Sequence, residues 1–207
     1  MADAAERQTG LDDVNTVPDG HWLNRAGDGD PADIVYPPAD IARRVREMAG
    51  EITAFYPEGE DLLVLGLLKG SFIFLADLVR AIDRPLHVDF IVASSYGSGT
   101  SSSGNVRLLY DPMAPIAGRH VLLVEDIVDS GNTINRLAQA LGQRDPRSLE
   151  LCALLHKHLA PDLALEPRWV GFDAPAEFLV GYGLDHAEDF RHLPFVAGLR
   201  DTNTTAE

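Results

Sequence analysis

The chain predicts an α/β domain, a mainly parallel sheet flanked by helices. Mostly apolar runs of strand length recur at 62–68, 120–125 and 149–155, and strands that are apolar on both sides are those buried on both faces. Amphipathic helical patterns stand between the runs, and strands alternating with helices over short links imply parallel crossovers. Finally, Val121-Leu-Leu-Val runs straight into Glu125-Asp126, with Asp129-Ser-Gly-Asn-Thr133 opening the next helix. Open sheets of this kind bind ligands outside the C-terminal strand ends, where that segment lies.

Residues 1–33 hold eight acids against Arg7 and Arg25, with little periodicity. They read as a mobile acidic leader carrying about −6 of the total charge. Order is expected from Ile34-Val-Tyr36. After Pro37-Pro38, Ile41, Val45, Met48, Ile52 and Phe55 recur at spacings of three and four, an amphipathic helix covering the sheet. Pro57 and Gly59 end it. Leu62-Leu-Val-Leu-Gly-Leu-Leu68 is a buried strand. Ser71 is a candidate cap for a helix whose stripe is Phe72, Leu75, Ala76 and Val79, stopped by Pro85. A second strand spans 88–93, followed by a flexible Gly/Ser loop at 96–104, and 106–110 returns as a short antiparallel strand. Strand 120–125 carries the motif, and Ile134, Leu137, Ala138 and Leu141 mark its helix. Another buried strand spans 149–155. Beyond Pro161 the pattern is irregular, and Trp169-Val-Gly-Phe172 and Phe178-Leu-Val-Gly181 read as short strands of a small appended lobe over 161–200. Residues 201–207 read as a loose tail.

The 207 residues fit one domain with a small subdomain. No run approaches the ~18 apolar residues of a membrane span, and the acidic N-terminus is unlike a secretory signal. Cys152 is the single cysteine, so no intramolecular disulfide forms and a buried reduced thiol is expected. These features point to the cytoplasm. A net charge of −15 argues against nucleic acid or anionic membrane as a partner. It also opposes an anionic ligand, so metal ions and backbone dipoles must supply local attraction.

The 129–133 turn carries chemistry of that kind. N–H groups at a helix start lack intrahelical partners and face the positive end of the dipole, which suits a phosphate. Ser130 and Thr133 add hydroxyls, and Gly131 allows close approach. Glu125 and Asp126, adjacent on one strand, point to opposite sides and offer carboxylates to a ribose diol or a metal. A helix start capped by Asp129 is the plainer alternative. The turn is not a P-loop, because no Lys follows Gly131, and Gly97-Ser-Gly99 lacks the third glycine and the helix of a dinucleotide fingerprint.

The 121–133 segment resembles the phosphoribosyl-pyrophosphate signature of the type I phosphoribosyltransferases. Further blocks agree in order. Leu67-Leu-Lys-Gly-Ser-Phe72 resembles the pyrophosphate-binding strand end, through Lys69 and Gly70. Ser95-Tyr96 and the Gly/Ser stretch resemble the mobile hood loop. Leu155-His-Lys157 and 177–185 resemble the purine-binding elements of the hypoxanthine–guanine phosphoribosyltransferases, and Phe190-Arg191 their closing pyrophosphate contact. The resemblance covers about 34–200 and implies the type I phosphoribosyltransferase fold. It also implies roles. Glu125 and Asp126 hold the ribose hydroxyls, while Asp129, Ser130, Gly131, Asn132 and Thr133 hold the 5-phosphate. Asp129 lies near purine N7 as general base. Lys157 donates to purine O6, Phe178 stacks on the base, and Leu179 offers its backbone. Asp185 joins Glu125 and Asp126 around Mg²⁺. Lys69 occupies a position that the family joins by a cis peptide; sequence alone leaves the isomer of the 68–69 bond open. A homodimer or homotetramer is implied as well. Leu159-Ala-Pro161 departs from the family's basic residues after the purine lysine. His156 and His158 lack a third ligand at metal spacing.

The expected activity is purine salvage, transfer of phosphoribosyl from phosphoribosyl pyrophosphate to hypoxanthine or guanine. A nucleic-acid-binding regulator of the same fold would want a basic face, and Phe178 with Lys157 favours a 6-oxopurine over a pyrimidine while leaving xanthine open.

Overall fold

Leu62–Leu68 forms the central strand of the larger sheet, and every crossover is referred to it. The computed structural model describes residues 30–95, 106–159 and 162–200. In chain order the elements are β1 (Asp30–Tyr36), α1 (Pro38–Phe55), β2 (Leu62–Leu68), α2 (Phe72–Ala81), β3 (Leu86–Ser95), β4 (Val106–Tyr110), β5 (His120–Val128), α3 (Asn132–Gly142), β6 (Ser148–His156), β7 (Pro167–Asp173), β8 (Leu179–Val180) and β9 (Val196–Arg200). Six strands lie in the order β4-β3-β2-β5-β6-β7. All neighbours from β3 to β7 are parallel, and β4 runs antiparallel at the edge, as expected for the 106–110 return.

Alternation along β2 divides the core. Leu62 and Val64 pack with Ile41, Val45, Met48, Ile52, Phe74 and Leu78 of α1 and α2. Leu63 and Leu65 face the other way, with Ile134, Leu137 and Leu141 of α3. Helices therefore cover both faces, which is why β2, β5 and β6 had to be apolar on both sides. Cys152 is a free thiol in this core, and burial pushes its pKa up, so it is inert. Pro38 opens α1 at its first turn, where a missing N–H costs nothing.

The strand order places a switch point. From β2 the chain crosses to β3 on one side, then returns to lay β5 on the other. Ligands in doubly wound sheets occupy the crevice left there. The segments following β2 and β5 are those carrying Lys69-Gly70 and the 125–133 motif.

Several expectations are corrected. The 169–172 strand is not part of an appended lobe: β7 extends the main sheet parallel to β6. Gly171 lets it approach closely, since a Cβ there would meet the Leu154 carbonyl at 2.4 Å. Arg44 of α1 donates to the carbonyls of Val170 and Gly171. The small lobe is instead the antiparallel sheet β1-β9-β8, built on β9, a strand the irregular pattern did not announce. Its partner β1 starts at Asp30, inside the span read as leader. Ser71 precedes α2 without capping it; its hydroxyl donates to the Leu67 carbonyl at 2.7 Å. The 1–29 leader, Tyr96 with the 96–105 loop, residues 160–161 and the 201–207 tail lie outside the described residues.

Candidate active site

The motif strand runs three residues further than its apolar core suggests, through Val128, and so carries both acids to the sheet edge. Glu125 is buried, with Oε2 unpartnered. Burial, and then the neighbouring Asp126 charge, push its carboxyl well above the usual range. Burial also raises Asp126, to about 6, against main-chain hydrogen bonds and the Arg191 charge, which pull it down. Two desolvated carboxyls at a strand end, one with an unpartnered buried oxygen, are arranged for a ligand rather than for stability.

Asp129 to Thr133 form the expected turn. Gly131 occupies the N-cap position of α3 with φ 75°, a left-handed conformation that disfavours side chains, and no side chain caps the helix. Asp129 is thus not a capping residue, which removes its plainer role. The turn encloses a recess of about 80 Å³ lined by Glu125 and residues 127–134. That is several times the ~10–15 Å³ a single water requires on the same measure. Free N–H groups and a helix dipole end there, suited to a phosphate.

Across the switch point, Gly70 packs on Asp126 so closely that a Cβ would stand 1.8 Å from Oδ2. The preceding Leu68–Lys69 peptide is cis, which answers the question sequence left open. Lys157 follows β6 and is held by its N–H to the Val128 carbonyl at 3.0 Å. Its side chain is 13% exposed, and its Nζ lies 3.6 Å from Asp129 Oδ2. A positive donor and a carboxylate are therefore side by side at adjacent strand ends. Phe178 is 53% exposed and meets His186 edge-on at 5.4 Å; it is an open aromatic face and not core. Leu179 lies in β8, paired with Gly198, its side chain buried. Ser95 is the last residue of β3.

Asp185 and Arg191 are brought together: Arg191 reaches Asp185 Oδ1 at 2.8 Å and donates to the Gly183 carbonyl at 2.9 Å. Asp185 is consequently engaged by a cation, and among the described residues no three His, Cys, Asp or Glu converge as a ready metal cage. The trio Glu125, Asp126 and Asp185 does not form a preassembled site. Their hard oxygens and the unpartnered Glu125 Oε2 nonetheless fit Mg²⁺, which needs only one or two carboxylates when phosphates and waters complete its octahedron.

Glu188 was not singled out from the sequence. It contacts Lys69 Nζ at 2.9 Å and Arg191 at 3.5 Å, and its spacing of three from both Asp185 and Arg191 was the available signal. His158 pairs with Asp173 at 2.7 Å, and its ring lies tilted beside that of His156, centroids 3.9 Å apart.

Residues 32–187 match the phosphoribosyl transferase domain. Over 165 residues the chain is 46% identical to the hypoxanthine phosphoribosyltransferase of Salmonella typhimurium, covering 79% of this chain and 93% of that protein. It is 41% identical over 172 residues to the hypoxanthine-guanine phosphoribosyltransferase of Dictyostelium discoideum, covering 82% and 96%. A crystal structure of a hypoxanthine-guanine phosphoribosyltransferase from Bacillus anthracis, with a HEPES molecule in its active site, superimposes with a TM-score of 0.77 at 42% identity, over 82% of this chain and 99% of that one.

Proposed function

The chain belongs to the phosphoribosyl transferase domain family, among its hypoxanthine(-guanine) phosphoribosyltransferases, and on that premise we propose how its residues carry out purine salvage. The reaction moves the 5-phosphoribosyl group from phosphoribosyl pyrophosphate to N9 of hypoxanthine or guanine, giving IMP or GMP and pyrophosphate.

The observation that carries the assignment is the Lys157–Asp129 pair, 3.6 Å apart beside the 129–133 turn. A 6-oxopurine presents O6 and N7 next to each other as acceptor and proton carrier. Lys157 donates to O6, and Asp129 takes or shares the N7 proton as N9 attacks C1 of the ribose. Phe178 supplies an aromatic face to the base, and the Leu179 backbone its edge contact. The recess at 129–133 holds the 5-phosphate. Glu125 and Asp126 bind the ribose hydroxyls and turn toward the metal side. Lys69, Gly70 and Arg191 surround the pyrophosphate. Carboxylates among Glu125, Asp126 and Asp185 would hold Mg²⁺, which would supply charge neutralisation for the leaving pyrophosphate. The protein contributes positioning and exclusion of water, with Ser95 and Tyr96 leading into the hood loop.

Charge balance supports small-molecule over nucleic-acid partners, and no helix among the described residues is long and apolar enough to cross a membrane. A cytoplasmic location fits the single buried thiol. A homodimer or homotetramer belongs to the same proposal, and light scattering measures it. The assignment is tested by product analysis with hypoxanthine, guanine, xanthine, adenine and uracil offered separately with phosphoribosyl pyrophosphate. Nucleotide from the two 6-oxopurines is expected; formation from uracil or adenine alone would overturn it.

A further inference from the structure

The residues between Asp185 and Arg191 bring an acid to an unexpected place. Ala187, Glu188 and Phe190 all have left-handed backbones, with φ of 52°, 73° and 72°, a conformation uncommon for side-chain-bearing residues. The loop is pinned by reciprocal main-chain hydrogen bonds between His186 and Asp189 at 3.2 and 3.0 Å. Asp185 Oδ2 accepts the Glu188 N–H at 2.9 Å. So held, Glu188 projects its carboxylate onto Lys69 Nζ at 2.9 Å and Arg191 at 3.5 Å. Those are the two cations assigned above to the pyrophosphate. Lys69 and Glu188 are each 65% exposed at the side chain, so this contact is a weak one that an incoming anion can displace.

We propose that Glu188 is an internal competitor for the pyrophosphate subsite, holding Lys69 and Arg191 in the free enzyme and returning to them as pyrophosphate departs. The inference rests on the assignment of Lys69 and Arg191 to that subsite. Its carboxylate stands in for a phosphate oxygen. It keeps both cations oriented, lowers affinity for phosphoribosyl pyrophosphate, and speeds release of the inorganic product.

Glu188→Gln removes the charge and keeps the length of the side chain. Asp189→Asn removes the same charge one residue away, from an exposed position. Binding of inorganic pyrophosphate with Mg²⁺ is measured by calorimetry for both, at low salt and at physiological salt. Glu188→Gln should tighten binding about three- to tenfold, the worth of one or two exposed ion pairs, with the gain shrinking as salt rises. Asp189→Asn should change it less than about twofold. In steady state, Glu188→Gln should lower KM for phosphoribosyl pyrophosphate and strengthen inhibition by pyrophosphate, which a merely structural loop residue would not do. Glu188→Asp withdraws the carboxylate by one methylene with its charge intact, and should shift binding in the same direction by less. In a Lys69→Ala background, where only Arg191 remains for Glu188 to hold, the gain from Glu188→Gln should shrink, as for coupled residues. Unchanged or weaker pyrophosphate binding in both Glu188 variants, or an equal gain in Asp189→Asn, would overturn the role. Wild-type nucleotide formation from hypoxanthine is run alongside. If that is absent, the assignment of the site fails; if it is present and pyrophosphate affinity does not move, only the role of Glu188 fails.

Discussion

Replacing Lys157 with Met tests the purine assignment most directly. The lysine stem lies largely buried, with its side chain 13% exposed, and only the ammonium reaches Asp129, at 3.6 Å. Met keeps most of the packing volume and deletes the donor. Its effect on the fold should be small, because an ion pair whose partner is 54% exposed contributes at most ~1 kcal/mol. Its effect on the base should be larger. A purine O6 buried without a donor costs about 1–3 kcal/mol, which is roughly a 5- to 150-fold loss of hypoxanthine and guanine affinity. In the proposed site phosphoribosyl pyrophosphate meets the turn, Gly70 and Lys69, not this side chain, so its affinity should change by less than about threefold. Calorimetric titration of the variant with each ligand separates the two effects, and a thermal melt checks the fold. Unchanged hypoxanthine affinity would reduce Lys157 to a structural strand-end residue. An equal loss for phosphoribosyl pyrophosphate would mean that the site as a whole had been disturbed, and would refute the division of roles.

Asp129→Asn should lower turnover by ~10²–10⁴ and weaken phosphoribosyl-pyrophosphate binding far less, since the amide keeps the size of the side chain in the 129–133 turn; near-normal single-turnover rates would remove it as the base. Gly70→Ala drives a Cβ to 1.8 Å from Asp126 Oδ2 and should weaken phosphoribosyl-pyrophosphate binding at least ~10-fold, with overpacking costing ~1–3 kcal/mol of stability; wild-type values for both would show that the loop yields freely. The Asp126 carboxyl, raised to about 6 in the folded protein, binds more protons there than in the unfolded chain. Its burial therefore costs stability progressively as pH rises from ~4 to ~6, and the whole cost is present above that. Asp126→Asn should then be more stable than wild type at pH 7.5 by ~1–3 kcal/mol in urea unfolding, while losing phosphoribosyl-pyrophosphate binding; a variant equal or inferior in stability at that pH would contradict the burial cost. Removing residues 1–29 should leave turnover and thermal midpoint unaltered, whereas a cut through Tyr36 removes β1 from β9 and should lower the midpoint by several degrees; sensitivity to the shorter cut would show that the leader docks.

The parts of this molecule legible in its sequence are those where one local pattern has a single physical solution. A run such as 62–68 can be satisfied only between two helical layers, and α1 and α3 carry one-sided apolar stripes to match. The 125–133 turn was legible because its acids, glycine and hydroxyls lie within nine residues of each other. Non-local pairings were not. β9 is a strand only through β1 and β8, about 160 and 17 residues away along the chain, and nothing within it alternates. β7 is drawn into the main sheet by Arg44 and by the missing Cβ of Gly171, contacts that no window around 167–173 contains.

The same locality explains how a chain of net charge −15 can hold two phosphorylated ends of one substrate. Of the cations near the site, Lys69 is matched by Glu188, Arg191 by Asp185 and Glu188, and Lys157 by Asp129. Among the described residues these pairings leave no unmatched cation at the site to attract an anion at long range. Binding must instead come from groups within hydrogen-bond reach: the unpartnered N–H groups at the start of α3, which carry no counter-charge, and a divalent ion that arrives with the pyrophosphate. Affinity for the 5-phosphate should accordingly vary little with ionic strength, because backbone dipoles act at short range. Affinity for the pyrophosphate should respond strongly both to Mg²⁺ and to salt, because there the proposed partners are full charges, those of Lys69, Arg191 and the divalent ion.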